Sequence, residues 1–229
     1  MDQLDFGFRT PRKRRQKKRG RPRKPDAGVP HLPRAVHARY PLHITFRVRR
    51  HVWQLRSRRC FSRIQKAFFK VLGRFDTRIA HFSVQHDHIH MLVETQDRRA
   101  LGRAMQGFAI SAAKRLNKMM GRHGAVFADR YHSRPLRTPT EVRSALVYVL
   151  NNFRKHVRYG TPAPTAIDPF SSASTFAGWS EPLAASGAAC PTASPATWLL
   201  ATGWRRGGGP IARDEAPRPA VREAGTAAE

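Results

Sequence analysis

The chain has 229 residues with 43 Lys and Arg against 15 Asp and Glu, a formal net charge of +28, so its surface repels itself unless a polyanion shares it. That length gives one domain with tails rather than two large cores, and 40% hydrophobic residues exceed what a disordered basic protein needs. Two cysteines, Cys60 and Cys190, exclude a disulfide framework or cysteine-rich zinc module, and without a long apolar run or apolar N-terminal segment the expectation is a cytoplasmic, nucleoid-associated protein with no membrane partner.

Charge divides the chain: residues 1–40 carry +10, residues 41–160 carry +19 and residues 161–229 carry −1. Residues 1–34, with RKRRQKKRGRPRKP, read as a disordered basic arm, because such a run cannot bury enough apolar surface to fold alone. Residues 35–160 carry the periodicity of a core. Residues 161–229 are rich in Ala, Pro and Gly and read as an extension, partly docked through aromatics such as Phe176, Trp179, Trp198 and Trp204 and partly disordered, with no function attached to residues 181–229.

Within the core, PLHITFRV at 41–48 alternates as a strand does. Phe61, Ile64, Phe68 and Leu72 fall at helical spacing over 58–72, with Gly73 placed to end the helix. Two strands follow at 78–84 and 88–95, linked by a hairpin-length stretch at 85–87. A long helix over 98–120 carries Leu101, Met105, Phe108, Ala112 and Leu116 on one face and closes at Gly121. A short fourth strand is predicted at 133–137. Thr138-Pro139-Thr140-Glu141 then forms a capping box with Pro at the first helical position, opening a last helix that runs to about residue 157. The order β-α-β-β-α-β-α is that of an α+β, ferredoxin-like or RRM-like βαββαβ antiparallel sheet with an added C-terminal helix.

His88-Ile89-His90 lies inside a predicted strand, so both imidazoles share one face and Ile89, Met91 and Val93 the other. Two imidazoles can begin a divalent-metal site if another element supplies a third donor; an isolated H-x-H more often lines a wet sheet face. His86 falls in the predicted turn and is left out. On the last helix, Tyr148 and Asn152 stand one turn apart at the edge of the stripe Val142, Ala145, Leu146, Val149, Phe153 and Val157. Taken without His88 and His90, a boundary tyrosine whose hydroxyl reaches water and a surface amide are the more common case. Together the four make a constellation in which a metal ion polarises a phosphate and a tyrosine attacks it.

The HIH strand, the segment VFADRYHSRPLRTPTEVRSALVYVLNNFRKHVRYG and the stretch DPFSSASTFAGW resemble the single-tyrosine HUH transposases, specifically the REP-associated tyrosine transposase group, over about residues 35–180. The resemblance implies a metal-dependent nickase and strand transferase for DNA transposition and recombination. In it His88, His90 and Asn152 hold Mg²⁺ or Mn²⁺, and Tyr148 cleaves single-stranded or hairpin DNA to a 5′-phosphotyrosine and a free 3′-hydroxyl, in a monomer or a homodimer. Two positions depart from the family pattern: His86-Asp87 stands where Pro-Asn is usual, and Phe153 where Pro usually follows the asparagine. Tyr131 and then Tyr159 are lower-ranked nucleophiles.

Gly20-Arg21-Pro22-Arg23-Lys24 resembles the core of an AT-hook, in which a stiff arm inserts Arg21 and Arg23 into the narrow minor groove of A·T-rich duplex; a generic polycation is the other reading. Arg47, Arg49, Arg50, Lys114, Arg115 and Lys118 are candidates for a DNA track on the core, with Trp53 and Phe127 as candidate stacking residues. The competing reading is a non-catalytic or domesticated DNA- or RNA-binding protein using the same sheet, disfavoured by the lack of an aromatic RNP-like pattern on the predicted central strands.

Overall fold

The computed structural model describes residues 35–155, 162–184 and 189–217. The hook-like Arg21, Arg23 and Lys24, together with Val157 and Tyr159, lie outside the described residues. Four strands, β1 (Leu42–Arg47), β2 (Thr77–Val84), β3 (His88–Thr95) and β4 (His132–Pro135), form one antiparallel sheet in the order β2-β3-β1-β4. Helices α1 (Arg58–Val71) and α2 (Arg98–Met120) pack on one face, and α3 (Pro139–Asn151) on the other. This is the α+β sheet with an added C-terminal helix that the element order predicts.

Each helix is bounded by the chemistry its sequence carries. Ser57 caps α1 by accepting from the Cys60 N–H, and Gly73 follows its end at φ +67°. Asp97 Oδ1 accepts from the Ala100 N–H at 2.7 Å to start α2, and Gly121 ends it in the left-handed conformation. The capping box at α3 is formed in both directions, Thr138 Oγ1 accepting from Glu141 N and Glu141 Oε2 accepting from Thr138 N, each at 3.2 Å. Helix α3 is shorter than its apolar stripe predicts. It ends at Asn151 and tightens into a 3₁₀ turn over Asn152–Lys155.

The core under α1 and α2 takes one side-chain phase of the sheet, including Ile44, Phe46, Phe82 and Met91, against Phe68 and Phe108. Phe68 stacks on Phe82 with ring centroids 4.3 Å apart. The opposite phase, represented by Ala80 and Leu92, packs beneath Leu146, Val149 and Leu150 of α3.

Residues 162–184 and 189–217 complete this second layer. Trp179, Trp204 and Phe176 join the α3 cluster. β2 is an edge strand whose outer groups are taken up by this segment: Val84 N donates to Phe170 O at 2.8 Å, Ser172 N to Phe82 O at 3.0 Å, and Ala193 N to Ile79 O at 2.9 Å. Arg56 grips buried Asp168 through two bonds of 2.9 Å and donates a third to Val84 O. Glu94, also buried, accepts from Ala196 N, Thr197 N and the Thr197 hydroxyl.

Burial holds the His81 imidazole, packed edge-on against Phe176, down at a pKa of about 4. The unfolded chain therefore binds this proton first, so stability present above pH 6.5 is lost as pH falls toward 4, by about 3 kcal/mol for this one group. Guanidinium unfolding of the wild type between pH 7 and pH 4.5 should show a steeper fall than His81→Gln; parallel profiles would refute this.

Candidate active site

Strand register assembles the site. Thr45 pairs with both His90 and His132, and His90 pairs with Ser83, so His132, Thr45, His90 and Ser83 cross the four strands in one row on the α3 side. His43 and His88 lie two residues along their strands on the same face. His88 and His90 ring centroids are 4.6 Å apart, and His43 Nε2 lies 3.1 Å from His90 Nδ1, with Thr45 Oγ1 at 3.2 Å from the same nitrogen.

Helix α3 brings Tyr148 over this row. Its ring centroid is 4.9 Å from that of His90 and 5.8 Å from that of His43. Burial pushes the Tyr148 hydroxyl above its ordinary pKa, an effect partly offset by the nearby Asn152 amide. Asn152 itself is 1% exposed, and neither amide atom completes a hydrogen bond of full geometry among the described residues. A buried amide left in that state is costly unless a further group completes it.

Among the described residues, no group of three or more His, Cys, Asp or Glu side chains is placed to hold a metal ion. Beside His88 and His90, the buried amide of Asn152 is a side chain that could supply a third donor. The chain does supply what orients imidazole ligands. Asp87 Oδ1 lies 2.7 Å from His88 Nδ1, a contact that places the proton on Nδ1 and leaves the Nε2 lone pair as the donor. Burial raises the Asp87 carboxyl, but hydrogen bonds and charge from His88 and Arg47 outweigh it and hold the pKa below the usual value. For His90 to present Nε2, its Nδ1 must carry the hydrogen, with His43 or Thr45 as acceptor. His43 suits that role, since burial and the charges of His132 and Arg134 lower its pKa to about 4 and keep it neutral. His43 was missed by the sequence reading. Its signal was a histidine in the polar phase of a strand whose other phase, Leu42, Ile44 and Phe46, is wholly apolar.

The family described as "Transposase IS200 like" matches residues 36–152, from before β1 through Asn152. The chain belongs to the IS200-like transposase family. It is thus a transposase, a DNA-cleaving enzyme of DNA transposition. A solved structure titled as a REP-associated tyrosine transposase bound to a REP hairpin is similar at 17% identity and TM-score 0.48, covering 63% of this chain and 82% of that one. A bacterial tRNA(His) guanylyltransferase-like protein in complex with GTP is similar at 14% identity and TM-score 0.36, covering 52% of this chain and 64% of that one. No curated protein matches the chain.

The transposase places its remaining candidates unevenly. Arg47 pairs in register with His88 and bonds Asp87 at 3.3 Å, and exposed Arg49 and Arg50 follow it. Lys114, Arg115 and Lys118 lie on α2, in the layer across the sheet from Tyr148. Tyr131 packs against Phe46 on the α1–α2 side of β1, as does Phe127, while Trp53 is exposed. Among the described residues no helix is long and apolar enough to cross a membrane.

The C-terminal segment holds the Tyr148 helix from outside. Arg143 meets Glu215 through bonds of 2.6 and 2.8 Å and donates to Gly209 O and Pro210 O. Asn151 Nδ2 donates to Ala212 O and Glu215 O, and Arg154 donates to the carbonyls of Arg213, Pro162, Ala163, Pro164 and Ala166. Arg143→Ala should cost about 2 kcal/mol of stability by removing charge-assisted bonds and should speed proteolysis around residues 209–215. Thermal unfolding and timed digestion will read both, and an unchanged digestion pattern would show that the clamp is not held there.

Proposed function

We propose that the chain is a single-tyrosine transposase of the REP-associated kind, in which Tyr148 nicks and rejoins single-stranded DNA beside a hairpin. The observation that carries this is the Tyr148 ring set 4.9 Å from His90, with the buried amide of Asn152 one turn further on. His88, His90 and Asn152 would hold Mg²⁺ or Mn²⁺, in keeping with the family's general use of a divalent metal. When bound, that ion would polarise the scissile phosphate.

The chain's own residues do the rest. Tyr148 Oη forms a bond to phosphorus as the bond from phosphorus to the 3′ oxygen breaks, leaving a 5′-phosphotyrosine and a 3′-hydroxyl. The phenolic proton leaves and the 3′ oxygen gains one, so one phosphodiester replaces another and the step runs in either direction. Burial raises the Tyr148 pKa and so favours the protonated phenol in the resting site. Lys155, with Nζ 5.8 Å from the Tyr148 ring centroid, offers a cation to the phosphate. Asp87 takes over the orienting task beside His88, where the family pattern usually has asparagine. An RRM-like binder would need an open sheet face, and here α3 and the C-terminal segment cover it.

The test incubates the full chain with Mn²⁺ and labelled hairpin DNA from beside its coding region and looks for a denaturant-resistant protein–DNA adduct. Tyr148→Phe and EDTA should each abolish the adduct, while hairpin binding in EDTA stays unchanged in Tyr148→Phe. An adduct surviving in Tyr148→Phe would place the nucleophile elsewhere. Tight binding with no adduct from any hairpin would move the non-catalytic reading ahead. In a second test, Asp87→Ala should raise the Mn²⁺ concentration for half-maximal adduct about 10- to 100-fold, as loss of an orienting partner does. No change in that concentration would remove Asp87 from the metal site.

A further inference from the structure

A second site lies at the end of the sheet remote from His88. There the start of β1, the start of β2, the end of β3, the start of α3 and residues 196–199 enclose a groove of about 760 Å³. Arg39, Arg78 and Arg137 line it, all three exposed, together with Tyr40 and Trp198. Glu94 is already engaged by the backbone and hydroxyl of residues 196–197, leaving Asp76 on the rim as the other carboxylate among the lining residues.

Trp198 is 52% exposed, whereas Trp179 and Trp204 are buried. Its indole is nevertheless held: a Cβ on Gly203 would come within 2.7 Å of the ring, so only glycine lets the backbone lie that close, and the Arg206 guanidinium sits 5.2 Å from the ring centroid. Tyr40 is similarly accompanied by the Arg39 guanidinium at 5.0 Å. A fixed aromatic plate costs little entropy when a base stacks on it. At the rim, Phe75 and Asp76 hold φ of 64° and 48°, left-handed values that non-glycine residues adopt at a cost.

We propose that this groove binds single-stranded DNA beside the cleaved site, with bases stacked on Trp198 and Tyr40 and phosphates on Arg39, Arg78 and Arg137. The proposal rests on the reading of the chain as a single-strand-cleaving transposase. Pro139, on the groove, and Tyr148 are nine residues apart on α3, a span of about 14 Å that a few nucleotides of extended single strand cover. One strand can therefore occupy both sites. Trp198 lies beyond residue 152, where the family match ends, so this half of the groove belongs to the C-terminal segment of this chain.

The experiment uses the full-length protein in EDTA, so that nothing is cleaved, and a dT12 single strand carrying 5-iododeoxyuridine. After irradiation, cross-linked peptides should contain Trp198 or Tyr40. Trp198→Ala should weaken dT12 binding about five- to one-hundred-fold, with Trp198→Phe close to the wild type. Arg78→Ser with Arg137→Ser should lower the slope of log affinity against log salt by about 1.4. Cross-links found only outside the groove, with affinity unchanged in Trp198→Ala, would overturn the proposal. Groove cross-links in EDTA, with no Tyr148 adduct when Mn²⁺ and a hairpin are supplied in a separate reaction, would count against the Tyr148 assignment alone, so the two failures are separable.

Discussion

The pairing of Thr45 with His90 decides which way the chemistry points. Side chains alternate with a period of two, so a slip of one residue in the β1–β3 register would send His88 and His90 into the Phe68–Phe82–Phe108 core and bring Ile89 and Met91 out under α3. The apolar phase of the two strands prevents that slip, because burying Ile44, Phe46, Ile89 and Met91 outweighs any gain from other pairings. The histidines are thus aimed by the hydrophobic residues between them. The polar row His132–Thr45–His90–Ser83 is the other side of the same constraint.

Above that row, the α3 layer is held by arginine rather than by secondary structure. Residues 162–184 and 189–217 are rich in Pro, Gly and Ala and contain only short helical turns, so their carbonyls need donors from elsewhere. Arg143 and Arg154 supply them, Arg154 alone reaching five carbonyls, while Arg56 holds the segment through the Asp168 carboxylate. A planar fork with five N–H groups can do this where a lysine cannot. Part of the large positive charge is therefore internal scaffolding and unavailable to DNA.

What was legible in the sequence was what is local. The limits of β3 and the end of α2 follow from alternation and Gly121, and the start of α3 follows from Thr138-Pro139-Thr140-Glu141, all decided within a few residues. The pair Tyr148 and Asn152 was visible as one helical turn, although the helix closes at Asn151 and passes into a 3₁₀ turn that periodicity does not reveal. The rest depends on distant partners. Arg56 meets Asp168 across 112 residues and Glu94 meets Thr197 across 103, and neither has a spacing to read. His43 was overlooked because its relation to His90 exists only once β1 and β3 are paired.

The family match ends at residue 152, but the fold does not. The outer edge of β2 is closed by residues 170–172 and 193, and the face of α3 by Trp204 and residues 209–215. A fragment cut to the matched segment would present a bare strand edge of eight residues beside an uncovered apolar helix, a surface prone to pairing with its own copies. The segment beyond residue 152 thus completes the core on which the matched segment rests, and a shorter chain would lose that cover.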